Sequence, residues 1–472
     1  MKNPNVIILG AGPAGLGAAF RLATRDIRAT VLEANPFVGG NASSFEIAGL
    51  DVDFGSHRLH PSCDPNVMRD IRAFLGDDLL DQPRHGRIRL RGRWIHFPLK
   101  PLDLALRLPP TFAFGVLRDL ALKIFPHHNA TGAETFATVL EAGLGSTICR
   151  DFYFPYARKV WGIAPEKLSV TQARRRVGAS SLGKMARKVL TAIPGLKPKG
   201  SGRFFYPRRG FGQISRKYAD AARARGANIL LGARVQSVEI EKQTRRVRFE
   251  RDGQTHTLDA DHIWSTIPIT ALAKIIQPRP PQAHLAAAEK MMYRAMILIY
   301  LIVEQEQFSE YDAHYFPEAH IRISRMSEPK NYSSARAPAN ATVLCAELPC
   351  MQTDPEWQMS DDELGQLMRA SLEAAGIPLR APIRQVITRR LRQAYPIYAS
   401  GYEEHFDQLD AWLDRVDGLL TFGRQGLFAH DNTHHALYMA YAAAECLAAD
   451  GAFDRARWRA FRREFETHVV ED

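Results

Sequence analysis

Val6 to Ala23 reads VIILGAGPAGLGAAFRLA, and how it is read decides the fold. An apolar run this early could be the core of a secretory signal, which needs a basic start, about 7–15 apolar residues and a small-residue cleavage site. Gly10, Gly12, Pro13, Gly15 and Gly17 interrupt the run, however, and Arg21 and Arg25 follow while the pattern is still helical. The signal reading fails on those residues. The competing reading makes Val6 to Leu9 a buried strand, Gly10 to Gly15 a tight turn and Pro13 to Ala23 a helix folding back on the strand. In such a G-x-G-x-x-G unit Gly10 turns the chain, Gly12 lets backbone approach a pyrophosphate, and Gly15 lets helix and strand pack closely. Pro13 and Ala14 then open a helix whose first N–H groups face phosphate oxygens. A second apolar run, Ala29 to Leu32, ends in Glu33, about 20 residues past the glycines, where a carboxylate hydrogen-bonds a ribose hydroxyl. The stretch predicts dinucleotide binding; a purely structural glycine turn is the alternative.

With 472 residues, 46% hydrophobic and 24% charged, the chain is expected to fold as two or three globular domains. No apolar run approaches the ~20 residues of a membrane-spanning helix. Cys63, Cys149, Cys345, Cys350 and Cys446 lack metal spacing, so reduced thiols and a cytoplasmic location are expected, with neither zinc nor a disulfide framework. The net charge is +11. From Arg174 to Arg209 there are eleven basic residues and no acidic one, which leaves the other 51 basic residues balanced by 51 acidic ones. All the excess charge therefore lies in one segment, which contains the loop-like PGLKPKGSG. It reads as a solvated basic face, as the site of a small anionic substrate such as a sugar nucleotide, or as contact with an anionic membrane surface. A small molecule, not nucleic acid, is the expected partner.

Along the chain, residues 1–60 read as strand, helix, strand and Gly-rich loops, and residues 100–200 as helices with apolar spacing near 3.6. Residues 203–270 return to alternating elements. MILIYLIVE, HIRISRM and ATVLCAEL read as strands, DDELGQLMRASLEAAG as a helix, and the tail as GLLTFGRQG followed by a long helix over about Thr433 to Ala449. The first unit is too short to build a doubly wound sheet alone, so later strands must complete it. The boundaries expected are 1–95, 201–270 and 396–472 for a cofactor-binding domain in three parts, with 96–200 a helical cap and 271–395 a substrate domain.

Several stretches together resemble one superfamily, the FAD flavoproteins that include amine oxidases, protoporphyrinogen oxidase, carotenoid desaturases and UDP-galactopyranose mutase. They are GAGPAGLGAA, VLEANPFVGGNASS with Gly39, Gly40, Asn41 and Ala42, HIWSTIP, and GLLTFGRQGLFAHDNTHHALYMAYAAAE. The resemblance implies FAD as the cofactor and an α/β fold: a glutathione-reductase-type FAD-binding Rossmann domain with a mixed-sheet substrate domain and a helical cap. It places Ser56, Val235, Gly423, Arg424, Asp431 and Thr433 with the glycines among the FAD residues. Within the superfamily the chain looks most like the mutase branch. DVDFGSHRLHPS resembles its histidine loop and sets His57 beside the flavin with His60 nearby, and KVWGIAPEKLSVTQARRR resembles the stretch in which Trp161 precedes a diphosphate-binding Arg175. Where the mutase pattern has a Tyr-Arg-Tyr cluster, this chain has Leu427-Phe428-Ala429-His430-Asp431.

The resemblance thus implies an FAD-dependent oxidoreductase that transfers hydride from an anionic or glycosylated small molecule to flavin. Its alternatives are a sugar-nucleotide mutase using reduced FAD as nucleophile and a peripheral membrane flavoenzyme. His57 is the candidate proton acceptor, because imidazole titrates near neutrality, and His60 is a second; a structural histidine beside the ring is the bland account. Trp161, Arg175, Tyr156 and His430 are the substrate candidates, against core packing for the tryptophan and a solvated charge for the arginine. Tyr153, Tyr398 and Tyr402 are further pocket candidates. In HDNTHH the adjacent His434 and His435 point to different helix faces, so no metal is expected. PLDLALRLPPTFAFGVLRDLALKIFP is amphipathic and basic, as an interfacial helix is, or as the buried helix of a cap is.

Overall fold

The structure is a computed structural model and describes residues 4–98, 106–122, 134–177, 202–241, 244–334 and 338–470. Asn5–Leu9 is the central strand of a five-stranded sheet ordered Leu419–Thr421, His262–Ser265, Asn5–Leu9, Arg28–Glu33, Asn228–Leu231. Every pairing in it is parallel. Its strands come from widely separated parts of the chain, as the shortness of the first unit requires. A parallel sheet is buried on both faces. One face is covered by the helices Pro13–Ala23, Gln213–Arg223 and Thr433–Glu445, which bring Leu16, Phe20, Tyr218 and Leu437 onto Val6 and Ile8. The other packs Ile7, Leu9 and Ile263 against Leu272 and Leu409 of the helices Ile269–Ile275 and Tyr402–Asp414. The first and third helices of the glycine face touch so closely that a Cβ on Gly17 would sit 2.9 Å from Leu437.

A second, seven-stranded sheet is mixed, in the order Ile383–Pro396, Tyr293–Val303, Thr342–Cys350, Arg325–Ser327, Ala313–Tyr315, Gly86–Leu90, Arg93–Phe97. Tyr293–Val303 is an almost unbroken apolar run because it is covered on both sides. Ile297, Ile299 and Leu301 face the helix Asp361–Ala374, while Met296, Leu298 and Tyr300 face the hairpin Ser44–Ile47/Leu50–Asp53. That hairpin follows the glycine unit directly, so it clamps one sheet to the other and holds the loop from Phe54 to His60 between them. The Tyr300 hydroxyl donates to the Asp53 carbonyl at 2.6 Å. Gln254–Asp259, Thr244–Arg251, Arg234–Glu241 and Ile276–Gln277 form a separate four-stranded sheet.

Helices fill the described part of residues 96–200: Pro110–Leu122, Phe136–Leu144, Phe154–Trp161 and Val170–Val177. PGLKPKGSG, apart from its last residue, and the basic residues from Lys184 to Lys199 lie outside the described residues.

Three elements differ from expectation. HIRISRM is a strand only at Arg325–Ser327, because the preceding carbonyls turn to the Lys159 ammonium, which donates to Phe316, Glu318 and Ile321 at 2.5, 2.8 and 2.6 Å. The helix expected to reach Ala449 ends at Glu445, where the chain turns back and Leu447 bridges Phe453. Ile383–Pro396 is a strand that the sequence pattern does not predict; Arg384, Arg389, Arg390 and Arg392 suit its place at a sheet edge, where charge blocks further pairing.

Candidate functional site

The glycine turn shows a positive φ at Gly10 and a close approach at Gly15. Gly10 has φ +98°, a value only glycine adopts freely, and donates its N–H to Leu32 at 2.8 Å. A Cβ on Gly15 would lie 1.9 Å from the Gly10 carbonyl, so strand and helix could not close with any other residue there. Gly12 is extended and has nothing within 4 Å of a Cβ position; it caps the first helix without a side-chain bond, and Pro13 follows. Gly39 donates to the Ala11 carbonyl at 2.8 Å, and a Cβ on Gly40 would sit 3.7 Å from the Gly12 Cα. The turn Gly40–Ala42 thus lies against the first glycine turn, with the Asn41 amide donating to the Gln393 carbonyl. From the third part of the chain Gly423 closes in, where a Cβ would meet that of Ala14 at 2.6 Å. Thr433 opens the third helix of this face.

Glu33 is 6% exposed and fixed by its own loop. One carboxylate oxygen accepts the Ala11 N–H at 2.8 Å, the other the backbone and side-chain N–H of Asn35 at 2.9 and 2.7 Å. Open space above Gly12, a helix N-terminus without a side-chain cap and a buried carboxylate at the end of the second strand fit the pyrophosphate and ribose of a dinucleotide. Val235 sits on the edge of the apolar cluster that contains Leu9 and Leu32.

The loop between the two sheets carries the candidate base. His57 stacks on Phe211 at 5.3 Å, and its Nδ1 lies 3.3 Å from the Gly55 carbonyl. A carbonyl only accepts, so Nδ1 carries the proton and Nε2 keeps its lone pair. Burial, then the charges of Arg325 and Arg424, push His57 down to about 4, so the ring is neutral at pH 7. Ser56 donates its N–H to Glu347 at 2.8 Å and its hydroxyl lies 2.5 Å from that of Tyr332. His60 points elsewhere, with its Nδ1 2.7 Å from the Ser62 hydroxyl, and faces His434 and His435 electrostatically.

Trp161 and Tyr156 sit in one apolar cluster with Phe136 and Leu140, and Trp161 reaches His430. Trp161 and His430 make edge contacts at 6.4 Å, His430 and Tyr395 at 5.1 Å, and Arg424 lies 5.3 Å over the Tyr395 ring. Arg424 is fixed by the carbonyls of Asp431 at 2.7 Å and Ala394 at 2.9 Å. Tyr156 stacks on Phe152 and is among the groups acting on Arg325.

Arg175 is less available than its sequence suggests, because it pairs with the fully buried Asp431 at 3.0 Å. Burial alone would raise Asp431, yet the His468 bond at 3.1 Å and the charges of Arg175 and His435 hold it below the usual range. Donor atoms of Asp431, His435 and His468 lie within 4.8 Å of one another. Sequence spacing judged only the neighbours His434 and His435 and missed His468, which arrives from the far end of the chain. Arg175 already supplies a cation to that carboxylate. Tyr398 and Tyr402 are corrected from pocket to core: they stack face to face at 4.3 Å inside the cluster with Leu409 and Phe428.

Sequence reasoning missed Arg58, Arg325, Glu347 and Tyr332. Arg58 donates to Tyr315, Asp312 and Tyr332 at 3.0–3.1 Å, and Arg325 pairs with Glu347 directly across two antiparallel strands. The signal available was the lone charge of Glu347 inside the apolar run VLCAELP, since a charge there needs a partner.

The family model for flavin containing amine oxidoreductase matches residues 13–444. The chain belongs to the flavin-containing amine oxidoreductases. The family's cofactor is FAD, which agrees with the cradle. Local sequence similarity reaches 34% identity over 73 residues with Polyamine oxidase 4 of Oryza sativa subsp. japonica and 37% over 73 residues with Probable polyamine oxidase 4 of Arabidopsis thaliana. Each match spans only 16% of this chain and 15% of the relative. In fold, the chain is similar to reduced UDP-galactopyranose mutase (TM-score 0.80, 21% identity, 94% of both chains). It is also similar to cyclohexylamine oxidase from Brevibacterium oxydans (TM-score 0.67, 17% identity, 98% of this chain and 100% of the other). A third likeness is to putrescine oxidase bound to putrescine (TM-score 0.67, 17% identity, 94% and 98%).

Proposed function

We propose that this amine-oxidoreductase family member is an FAD-dependent oxidoreductase acting on an anionic or glycosylated small molecule. The observation that carries the reading is the setting of His57, whose ring is kept neutral by burial first and then by the charges of Arg325 and Arg424. A polyamine would bring further positive charge to that point, so the reading departs from the substrate class named by the plant relatives. FAD, when bound, supplies the hydride acceptor. Gly12, Gly40 and the first helix N-terminus hold its pyrophosphate, and Glu33 its ribose. His57 Nε2 takes the proton that leaves as the substrate is oxidised. Arg424, held by two carbonyls, would face the substrate's negative or oxygen-rich part, and Trp161, Tyr156 and His430 would line its pocket. Residues 1–95, 201–270 and 396–472 would form the glutathione-reductase-type FAD domain, 271–395 the substrate domain and 96–200 a helical cap. Five free, buried cysteines suit a reducing, cytoplasmic setting.

The redox-neutral alternative, a sugar-nucleotide mutase, draws on the fold likeness. It needs Arg175 to grip a diphosphate, and Asp431 already takes that guanidinium. Anaerobic titration of the oxidised holoenzyme with putrescine, spermidine, hydroxy acids, amino acids and UDP- or dTDP-sugars tests the reading. Loss of the oxidised-flavin absorbance with an anionic or glycosylated compound supports it, and loss with polyamines alone overturns it. A sugar-bearing flavin trapped from the reduced enzyme by cyanoborohydride would establish the mutase instead.

A further inference from the structure

Among the described residues seven large hydrophobic side chains are exposed, and four of them fall on one short stretch: Leu106, Phe114, Leu117 and Leu122, at 76, 72, 64 and 46%. The last three lie on the helix Pro110–Leu122. Its inner face is already used, since Phe112 and Val116, with Leu108 just before it, pack on Ile88, Leu90 and Ile95 of the hairpin beneath. A helix that buries one apolar side normally shows water a polar one. This one shows water a second apolar ridge, formed by Phe114 and Leu117 one turn apart, with Leu122 exposed on the flank of the last turn.

Charge around the ridge is sorted by depth. Arg93, Arg107, Arg118 and Arg150 are exposed, and Arg91 reaches the helix by donating to Thr111 at 3.2 Å. Among the described residues, the two carboxylates that pair with these arginines point inward. Asp119, with its side chain 7% exposed, accepts the Thr147 N–H at 2.6 Å, and Asp151, 9% exposed, pairs with Arg91 and Arg150. Among the described residues, an apolar ridge rimmed by five arginines, with Asp119 and Asp151 withdrawn, presents positive charge outward.

We propose that this helix docks on an anionic phospholipid surface, with Phe114, Leu117, Leu106 and Leu122 entering the headgroup boundary and the arginines meeting lipid phosphates. The chemistry is that of an interfacial helix lying in the membrane plane. It does not span, and among the described residues no helix is long and apolar enough to cross a membrane. A second copy of the chain fits worse. Two-fold packing would set the arginines of one copy against those of the other, and four side chains fall short of the roughly 20 residues a side of a stable protein interface. The proposal is independent of the reaction catalysed, because it rests on the outer face of the helix.

Co-sedimentation of the FAD-loaded protein with phosphatidylglycerol-containing vesicles and with pure phosphatidylcholine vesicles, at low and high salt, tests it. Binding is expected to the anionic vesicles, to weaken as salt screens the arginines, and to fall at least about tenfold in F114E/L117E. Both substitutions lie on the solvent face, so an unchanged flavin spectrum reports an intact fold. No sedimentation with anionic vesicles at low salt overturns the proposal, as does equal binding by the double variant. Sedimentation equilibrium without lipid supplies the remaining arm. A dimer that the double variant converts to monomer would assign the ridge to a second copy and overturn lipid docking.

Discussion

Arg325 stands directly opposite Glu347 on neighbouring antiparallel strands and closes on its carboxylate at 2.8 and 3.0 Å, with the two side chains only 12 and 6% exposed. The same carboxylate takes the Ser56 N–H at 2.8 Å. One buried ion pair therefore fixes the backbone that carries His57, and it links the mixed sheet to the loop that rises from the glycine domain.

Removing one partner of a buried pair leaves an uncompensated charge, at a cost of about 3–5 kcal/mol, whereas replacing both is far milder. Glu347→Ala should accordingly destabilise the protein by about that amount, and R325M/E347L by much less. Urea unfolding of the three proteins measures the difference. A single-variant loss under about 1 kcal/mol, the worth of a surface pair, would show that water reaches the guanidinium.

The two first-turn glycines should fail in different ways. Gly12 has φ −72° and ψ 177°, accessible to any residue, and open space where a Cβ would go. Gly12→Ala should fold with an apo-protein melting temperature close to wild type yet lose FAD affinity, because the methyl takes space the pyrophosphate uses. Gly15→Ala places its methyl 1.9 Å from the Gly10 carbonyl and should lower the apo-protein's own stability by a few kcal/mol, about the cost of overpacking. Thermal denaturation of both apo-proteins, with FAD titration, separates the outcomes. Full FAD affinity in Gly12→Ala would remove the pyrophosphate from this turn.

The glycine cradle was legible because its constraints are local: a positive φ, a close approach and a helix start each act within a few residues of sequence. The wall of the site was not. Arg325 meets Glu347, and Arg58 meets Tyr315 and Tyr332, across separations of tens to hundreds of residues that no spacing rule reaches. Arg175 shows the reverse failure: a basic, acid-free window suggested a charge open to ligand, and Asp431, far along the chain, already occupies it. HIRISRM alternates like a strand, but the half-buried Lys159 takes the carbonyls of Ile321 and Ile323.

Acid stability should be set in part by the third helix of the glycine face. Burial first, then neighbouring histidine charges, push His434 down to about 3; burial again pushes His435 down to about 4. In the unfolded chain both titrate near the ordinary value of about 6.5. Both are therefore neutral in the fold and take up protons on unfolding at lower pH. Their contribution is complete above about 6.5 and is lost as pH falls towards about 4, at no more than about 1.4 kcal/mol per pH unit for each. Unfolding free energy measured from pH 7 to pH 4 should fall along that window, and His434→Gln should flatten the fall. A slope unchanged in the variant would assign the acid transition to other groups.

His57 gives the sharpest test of the chemistry. Its ring is pushed down to about 4 by burial, then by Arg325 and Arg424, so a base at this position works over the whole neutral range and fails only when protonated near pH 4. The acid limb of kcat/KM, which reports the free enzyme, should have its midpoint there. Arg424→Gln removes one of the repelling charges and should move the limb upward, towards the ordinary histidine value, while the alkaline side stays in place. His57→Asn should lower kcat/KM by about 10²–10⁴-fold, the usual worth of a positioned base, and abolish the limb. A purely structural histidine would behave differently: the His57→Asn profile would keep its acid limb at a reduced plateau, and Arg424→Gln would alter KM without moving the midpoint.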